Sequence, residues 1–313
     1  MSGAKTENDP SFLSARERRI FYRVGCTGQN QGTFRHRKDG EYSMRATVIT
    51  DNIENGGLPG EWGLCIMIEY GGKKILLDTG ASGLFADNAS QLDIPLEEID
   101  FAVLSHAHYD HANGMQRFFE VNQTAKFYLQ ESCGENCYHK KGLLHRYIGM
   151  PRGVMEAYRD RIVYVSGNYS VSDGVSLIGH ATPGLEAIGR REEMFLRKNG
   201  RWYPDDFSHE QSLVFETPEG LVIFNSCSHG GAGNIVREVS AACPGRKVSA
   251  FIGGLHSFNK SEEEVRQMAA AIRDTGIAHI YTGHCTGKDA CGILKEELGE
   301  VVQEFYTGFV MEF

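Results

Sequence analysis

The sequence predicts a mixed α/β protein in which two β-sheets pack face to face with helices on the outside. Three observations predict it. Strand-rich blocks interrupted by helical stretches occur twice along the 313 residues, the pattern expected of two sheets that share one core. No Pro-, Ser- or charge-rich linker divides the chain, and no repeat of about 20–50 residues is visible. A 41% hydrophobic and 23% charged composition is that of a globular chain able to bury a large core.

The elements follow in order. Met44 to Thr50 and Leu64 to Glu69 read as strands, separated by the turn-rich Asn55-Gly56-Gly57-Leu58-Pro59-Gly60. Gly71-Gly72 turns the chain into a third strand, Lys73 to Leu77, that ends on Asp78-Thr79-Gly80. A short helix is expected over Ser82 to Gln91, a turn at Pro95 to Glu98, and a buried strand over Phe101 to Leu104. Gly114 to Phe119 starts a helix, and Lys126 to Gln130 is a strand. Residues 132–168 are Gly-, Tyr- and base-rich and read as an insertion over the site, with strands resuming at Arg161 to Val165 and Val175 to Ile178. Ser212 to Glu216 and Leu221 to Phe224 form a hairpin across Thr217-Pro218-Glu219-Gly220. Ser249 to Ile252 is a short apolar strand, and Ser261 caps an acidic-started helix to Thr275. His279 to Thr282, Lys288 to Leu298 and Phe309 to Phe313 read as strand, helix and closing strand. The organisation expected is an N-terminal extension, 1–43, whose Arg16-Glu17-Arg18-Arg19 run is a solvated helix or arm, followed by one domain, 44–313.

A net charge of −9 argues against nucleic acid or an anionic membrane as the main partner. No apolar run is long enough to span a bilayer, and the polar N-terminus lacks a secretory core. Eight scattered cysteines suit reduced thiols and a cytoplasmic setting better than a disulfide framework.

The chemistry concentrates in Ser105-His106-Ala107-His108-Tyr109-Asp110-His111, directly after an apolar strand. Three imidazoles and a carboxylate within six residues can serve two adjacent cations. His106 and His108 would point one way, Asp110 and His111 the other. Zinc, iron, manganese or nickel all suit such donors; the alternative is a His-rich surface loop. One loop cannot close two positions. His229, in Asn225-Ser226-Cys227-Ser228-His229-Gly230-Gly231, His256 after Gly253-Gly254-Leu255, and His284 after Gly283 share a strand–Gly–His context. Each alone could be a structural histidine; three together point to one rim. Asp78 ends its strand either as the acceptor that fixes a ligand imidazole or as an Asx-turn cap.

Val103-Leu104-Ser105-His106-x-His108-Tyr109-Asp110-His111 resembles the metal motif of the metallo-β-lactamase superfamily. Leu76-Leu77-Asp78-Thr79-Gly80, Cys227-Ser228-His229, Gly253-Gly254-Leu255-His256 and His284-Cys285-Thr286-Gly287 together resemble the dihydropterin ribofuranosyl-aminobenzene phosphate synthase-like group within it. The resemblance runs in order from about Thr47 to the C-terminus. It implies a four-layer αββα sandwich with metals at one edge: His106, His108 and His229 around one, Asp110, His111 and His284 around the other, and His256 polarising substrate or handling protons. The chain departs from the pattern at Thr182-Pro183-Gly184-Leu185, where superfamily hydrolases commonly have a ligand His after the Gly, and at Cys227, near their bridging Asp. His229 can stand in for the former; Cys227 can bridge, face the site or pack. Glu61-Trp62-Gly63-Leu64-Cys65 replaces the group's Glu-His-Gly-Leu-Ser and alters the rim.

Other candidates carry less. Cys133-x3-Cys137-x-His139 could be a zinc clip, but no fourth ligand is evident. His180 reads as a strand-end residue near the altered turn. Asp205, Asp206, His209 and Glu210 read as a solvated polar loop, and Arg190-Arg191 and Arg197-Lys198 as solvated basic loops or anion contacts. The expected function is hydrolysis of a small substrate, phosphate- or ester-bearing among the candidates. Two divalent cations would activate water, zinc first, with manganese or iron as alternatives. Asp110 would receive the proton and His256 assist the leaving group. The rivals are a pterin-type condensing synthase using the same metals, a two-iron redox enzyme, for which no dinucleotide signature is present, and a non-catalytic metal- or ligand-binding module.

Overall fold

The structure is a computed structural model that describes residues 44–313; the extension 1–43, with its Arg16–Arg19 run, lies outside the described residues. Two seven-stranded sheets form the centre. The first runs, edge to edge, through Val310–Glu312, Met44–Thr50, Cys65–Tyr70, Lys73–Leu77, Phe101–Val103, Lys126–Gln130 and Ile162–Val165. The second runs through Val302–Glu304, His279–Thr282, Val248–Ile252, Gly220–Phe224, Gln211–Thr217, Val175–Gly179 and Tyr169–Ser172.

Period-2 alternation explains the layers. In Cys65–Tyr70, Ile66 and Ile68 face the second sheet while Cys65 and Met67 face outward. In Gly220–Phe224, Val222 and Phe224 face the first sheet and Leu221 and Ile223 face outward. Both outer faces are covered. Phe85, Phe118 and Phe119, from Leu84–Gln91 and Met115–Val121, pack on the first sheet. Ile235, Val265, Ala269 and Leu294, from Ala232–Ala242, Glu262–Arg273 and Lys288–Leu298, pack on the second. Sheets buried on both faces need near-continuous apolar strands, which is what the sequence supplies. The result is the four-layer αββα sandwich. The helix Glu262–Arg273 begins with the expected Ser261 cap, in a full capping box with Glu264.

Residues 132–168 are divided. Ile162–Val165 is an edge strand of the first sheet, whereas Cys137–Lys141 and Leu144–Tyr147 join Met194–Lys198 and Arg201–Pro204 in a separate four-stranded sheet. That second half, nearly fifty residues downstream, is what the expected insertion pairs with. No helix among the described residues is long and apolar enough to cross a membrane.

Topology sets the site. Lys73–Leu77, Phe101–Val103 and Lys126–Gln130 are parallel, as are Gly220–Phe224, Val248–Ile252 and His279–Thr282. Asp78 and the His106 loop therefore leave the first sheet, and Cys227–His229, His256 and His284 leave the second, all at carboxyl ends of parallel strands, where α/β folds gather ligands.

Candidate metal centre

Asp78 organises the loop. It is fully buried with a left-handed backbone, φ 60°. Its Oδ1 accepts the Ser105 N–H at 2.7 Å. Its Oδ2 accepts the hydroxyls of Ser105 at 2.7 Å and Ser226 at 2.6 Å, and lies 2.8 Å from His111 Nδ1. A carboxylate there requires the His111 proton on Nδ1, leaving Nε2 as a lone pair. Ser105 spends its one proton on Asp78, so its oxygen accepts from His106 Nδ1 at 2.8 Å. His106 Nε2 is then also unprotonated. The expected tautomer-fixing role of Asp78 thus has a geometry, and it extends through Ser105 to a second imidazole.

The imidazole rings cluster, although the donor atom of His108 groups with those of Cys137, Asp205 and His209 and not with those of His106 and His229. Ring centroids of His106, His108 and His229 lie 4.7 Å (His106–His108), 4.9 Å (His106–His229) and 4.9 Å (His108–His229) apart. His111 Nε2 lies 3.2 Å from His284 Nε2 and 3.2 Å from Cys227 Sγ. Asp110 Oδ2 is 3.8 Å from His111 Nε2 and 3.6 Å from His284 Nε2. Donor atoms of His106, Cys227 and His229, and of His111, Cys227 and His284, fall within 4.8 Å of one another. The ring of His256 is 4.3 Å from that of His229. Left-handed backbone at Asp78, Phe207, Ser228, His256 and His284 marks the same rim, an arrangement costing about 1–3 kcal/mol per residue and found at functional sites.

Electrostatics agree with cation binding. Burial, reinforced by neighbouring imidazoles, holds His106 and His229 well below the usual range and His108 at about 3, so their rings are neutral donors. Burial opposes charging of Asp110, but His111 and His284 outweigh it and keep the carboxyl ionised. Burial likewise opposes protonation of His284, yet Cys285, Asp110 and Asp51 raise it to about 9; a divalent cation would replace that proton. Buried polar nitrogens are almost always partnered. Here His106 Nε2, His108 Nε2, both nitrogens of His229, His256 Nδ1 and His284 Nδ1 are buried without a hydrogen-bond partner. The donor set fits two divalent cations.

Residues 205–211 overturn the solvated-loop expectation. Asp205, His209 and Glu210 are buried. Asp205 Oδ1 accepts the Phe207 N–H in an Asx turn, and left-handed Phe207, φ 50°, sends the chain inward. Phe207 stacks on His229 at 4.8 Å with the planes 2° apart. Glu210 Oε2 accepts the His229 N–H at 3.1 Å, and Gln211 binds the Ser105 and Leu104 carbonyls. His209 Nδ1 accepts the Ala107 N–H at 3.3 Å while Nε2 faces Asp205 Oδ2 at 3.1 Å. His209, Asp205, His108 and Cys137 have donor atoms within 4.8 Å. With a peptide N–H on Nδ1, however, His209 carries its proton on Nε2 and acts as a brace for the metal loop. Cys137 joins this group, and the alternative of a zinc clip with Cys133 and His139, which had no evident fourth ligand, does not form. No local signal announces these contacts; the partners lie 19 positions away at His229 and 102 or more at Ala107 and Leu104. The seven cysteines among the described residues form no disulfide.

His180 lies between two carboxylates, 2.9 Å from Glu238 and 3.4 Å from Glu210. Burial disfavours its charge, but the two acids outweigh this and raise it to about 10. Raised above its unfolded value, about 6.5, it contributes stability fully below pH 6.5 and loses it as pH climbs toward 10. The unfolding free-energy difference between wild type and His180→Gln should therefore be largest near pH 6 and shrink by pH 9–10. A difference flat across that range would contradict the ion pairing.

Residues 61–224 match the sequence model of the metallo-beta-lactamase superfamily. The 7,8-dihydropterin-6-methyl-4-(beta-D-ribofuranosyl)-aminobenzene-5'-phosphate synthase of Methanocaldococcus jannaschii is 27% identical over 259 residues, covering 77% of this chain and 85% of that protein. Among solved structures, Tm1679, described as a metal-dependent hydrolase of the β-lactamase superfamily, superposes with TM-score 0.72 at 26% identity, over 86% of this chain and 99% of that one. YhfI from Bacillus subtilis, a metallo-beta-lactamase fold protein, shares the fold at TM-score 0.51 and 15% identity, over 87% of this chain and all of that one.

Proposed function

Because the chain belongs to the metallo-β-lactamase superfamily, we propose that it is a metal-dependent hydrolase acting on a small molecule at a two-cation centre. The observation that carries this reading is the set of buried, unpartnered imidazole nitrogens on His106, His108 and His229. When bound, two cations supply Lewis acidity and bring a water near its deprotonation range at neutral pH. His106, His108 and His229 would hold one, and Asp110, His111 and His284 the other, and the Cys227 sulfur is a further donor beside both sets. Zinc is the first choice for this N, O and S donor set, with iron or manganese behind it.

The chain's own groups do the rest. Asp110, ionised and beside His111 and His284, orients the attacking water and receives its proton. His256 borders a cavity of about 510 Å³ together with His229, where it can polarise a bound substrate. Arg191, Arg237 and Lys260 line the same cavity with the start of the helix Ala232–Ala242 and with Glu192 and Glu264; Glu192 pairs with Arg191 and Lys260, which leaves Arg237 as the contact for an anionic, phosphate- or ester-bearing substrate. Its partner is that small molecule, and free thiols support a cytoplasmic setting.

One observation keeps the condensing synthase alive beside the similarity to the archaeal enzyme. Trp62, in the altered Glu61-Trp62-Gly63 motif, packs edge-on against Phe258 at 5.3 Å and lies 5.4 Å from His284. Both aromatics are partly exposed, and they could stack a flat heterocycle such as a pterin. Trp62→Ala should raise KM roughly tenfold for a flat aromatic substrate, the scale of a lost stacking contact, with kcat changed much less; equal loss in both would argue against the stacking role. The deciding experiment is a screen of the metal-loaded protein over phosphodiesters, lactones, thioesters and pterin phosphates. Chelator-sensitive hydrolysis of one class supports the main reading. Pterin–amine condensation moves the assignment to the synthase. A fully loaded protein inert in both assays favours a binding module.

A further inference from the structure

The motif His284-Cys285-Thr286-Gly287 contributes a second side chain to the rim besides His284. Cys285 is buried, and its Sγ lies 3.4 Å from Cys227 Sγ. It accepts the backbone N–H of His256 at 3.3 Å. Cys227, His256 and Cys285 form a buried trio whose donor atoms lie within 4.8 Å of one another, and His256 Nδ1 is buried without a partner. The geometry is held from several sides. The Ser257 and Phe258 N–H groups donate to the Cys285 carbonyl, and the Leu255 N–H donates to Thr286 Oγ1. A Cβ added at Gly254 would come within 2.5 Å of the Cys285 sulfur and 2.8 Å of the Ser226 carbonyl, so only glycine admits the sulfur there.

A thiol kept for packing sits among apolar atoms. This one faces a second sulfur, a peptide N–H and an imidazole. Two thiolates this close repel unless a proton or a cation lies between them, and sulfur with imidazole favours zinc or ferrous iron over magnesium or manganese. We propose that Cys285 is a thiolate ligand that completes, with Cys227 and His256, a third cation position sharing the Cys227 sulfur with the two-cation centre. This rests on the reading that the centre binds metal.

The test uses the full chain loaded with cobalt(II), whose thiolate ligands give a near-ultraviolet charge-transfer band. Wild type should bind three cobalt ions and show the band. Cys285→Ser should drop one ion and lose roughly half the band, since one of two thiolates is gone; Cys291→Ser, on the helix Lys288–Leu298, should change neither. Cys285→Ser with undiminished cobalt and band overturns the proposal and leaves a hydrogen-bonded thiol pair. Should that variant fail to fold, X-ray absorption of the unmutated zinc protein decides: a sulfur shell at about 2.3 Å from two cysteines supports it, and from one overturns it. Wild type that takes up no cobalt overturns both this proposal and the metal reading beneath it, whereas the first failure touches this proposal alone.

Discussion

His106→Ala should leave a folded protein that neither retains its metal complement nor turns over substrate. The ring sits within 5 Å of His108, His111 and His229, and its Nε2 is directed into the buried cluster with no hydrogen-bond partner. Alanine removes one of only three donors in the group His106, Cys227 and His229, and no neighbouring side chain can take its place. Groups that act as a unit lose nearly everything with one member, so the fall in kcat should be about three orders of magnitude or more. The fold should survive. The imidazole packs among other polar rings at the edge of the sandwich, while the sheet-to-sheet core lies elsewhere, around residues such as Ile66, Leu77, Val222 and Phe224. Elemental analysis and turnover on one preparation check this together; a variant with full metal and full activity would remove His106 from the centre.

Asp78→Ala should damage both stability and metal retention. It strands the Ser105 N–H, the Ser226 hydroxyl and the His111 Nδ1–H in a fully buried place. Each lost partner costs about 1–3 kcal/mol, so a loss of at least about 3 kcal/mol is expected, or roughly 10 °C in Tm for a domain of this size. Metal affinity should fall by about 10–100-fold because two imidazoles lose their orientation. Asp78→Asn keeps the shape and should recover part of the stability. It should not restore the affinity, since one amide cannot accept from every group that Asp78 serves. If Asp78→Ala melted as wild type does, the Asp78–Ser105–His106 chain would have no organising role.

How much of this was readable in advance depends on the range of the interactions. The His106–His111 loop was legible because clustered imidazoles and a carboxylate are rarely buried without a purpose, and because an apolar strand leads into them. His229, His256 and His284 were legible from their strand–Gly contexts, and Asp78 from its strand end. The Ser261 cap was legible because capping is local. Phe207, His209 and Glu210 were not. Their neighbours in sequence, Asp206 and Ser208, are polar and more exposed, which reads as a surface turn. What turns the segment inward is a left-handed phenylalanine that no glycine announces. The separate sheet of Cys137–Lys141, Leu144–Tyr147, Met194–Lys198 and Arg201–Pro204 was hidden for a related reason. Its strands are short and half-exposed, with basic residues in place of an apolar alternation.

Buried imidazoles, Asp110 and Cys227 together make the donor set of a centre for divalent cations. Elemental analysis of the full chain purified without added metal tests it most directly, repeated after chelation and reloading. At least two equivalents of zinc or iron per chain are expected, removed by chelator and restored on reloading. A chain that carries no metal, and takes up none when zinc, iron or manganese is offered, would contradict it.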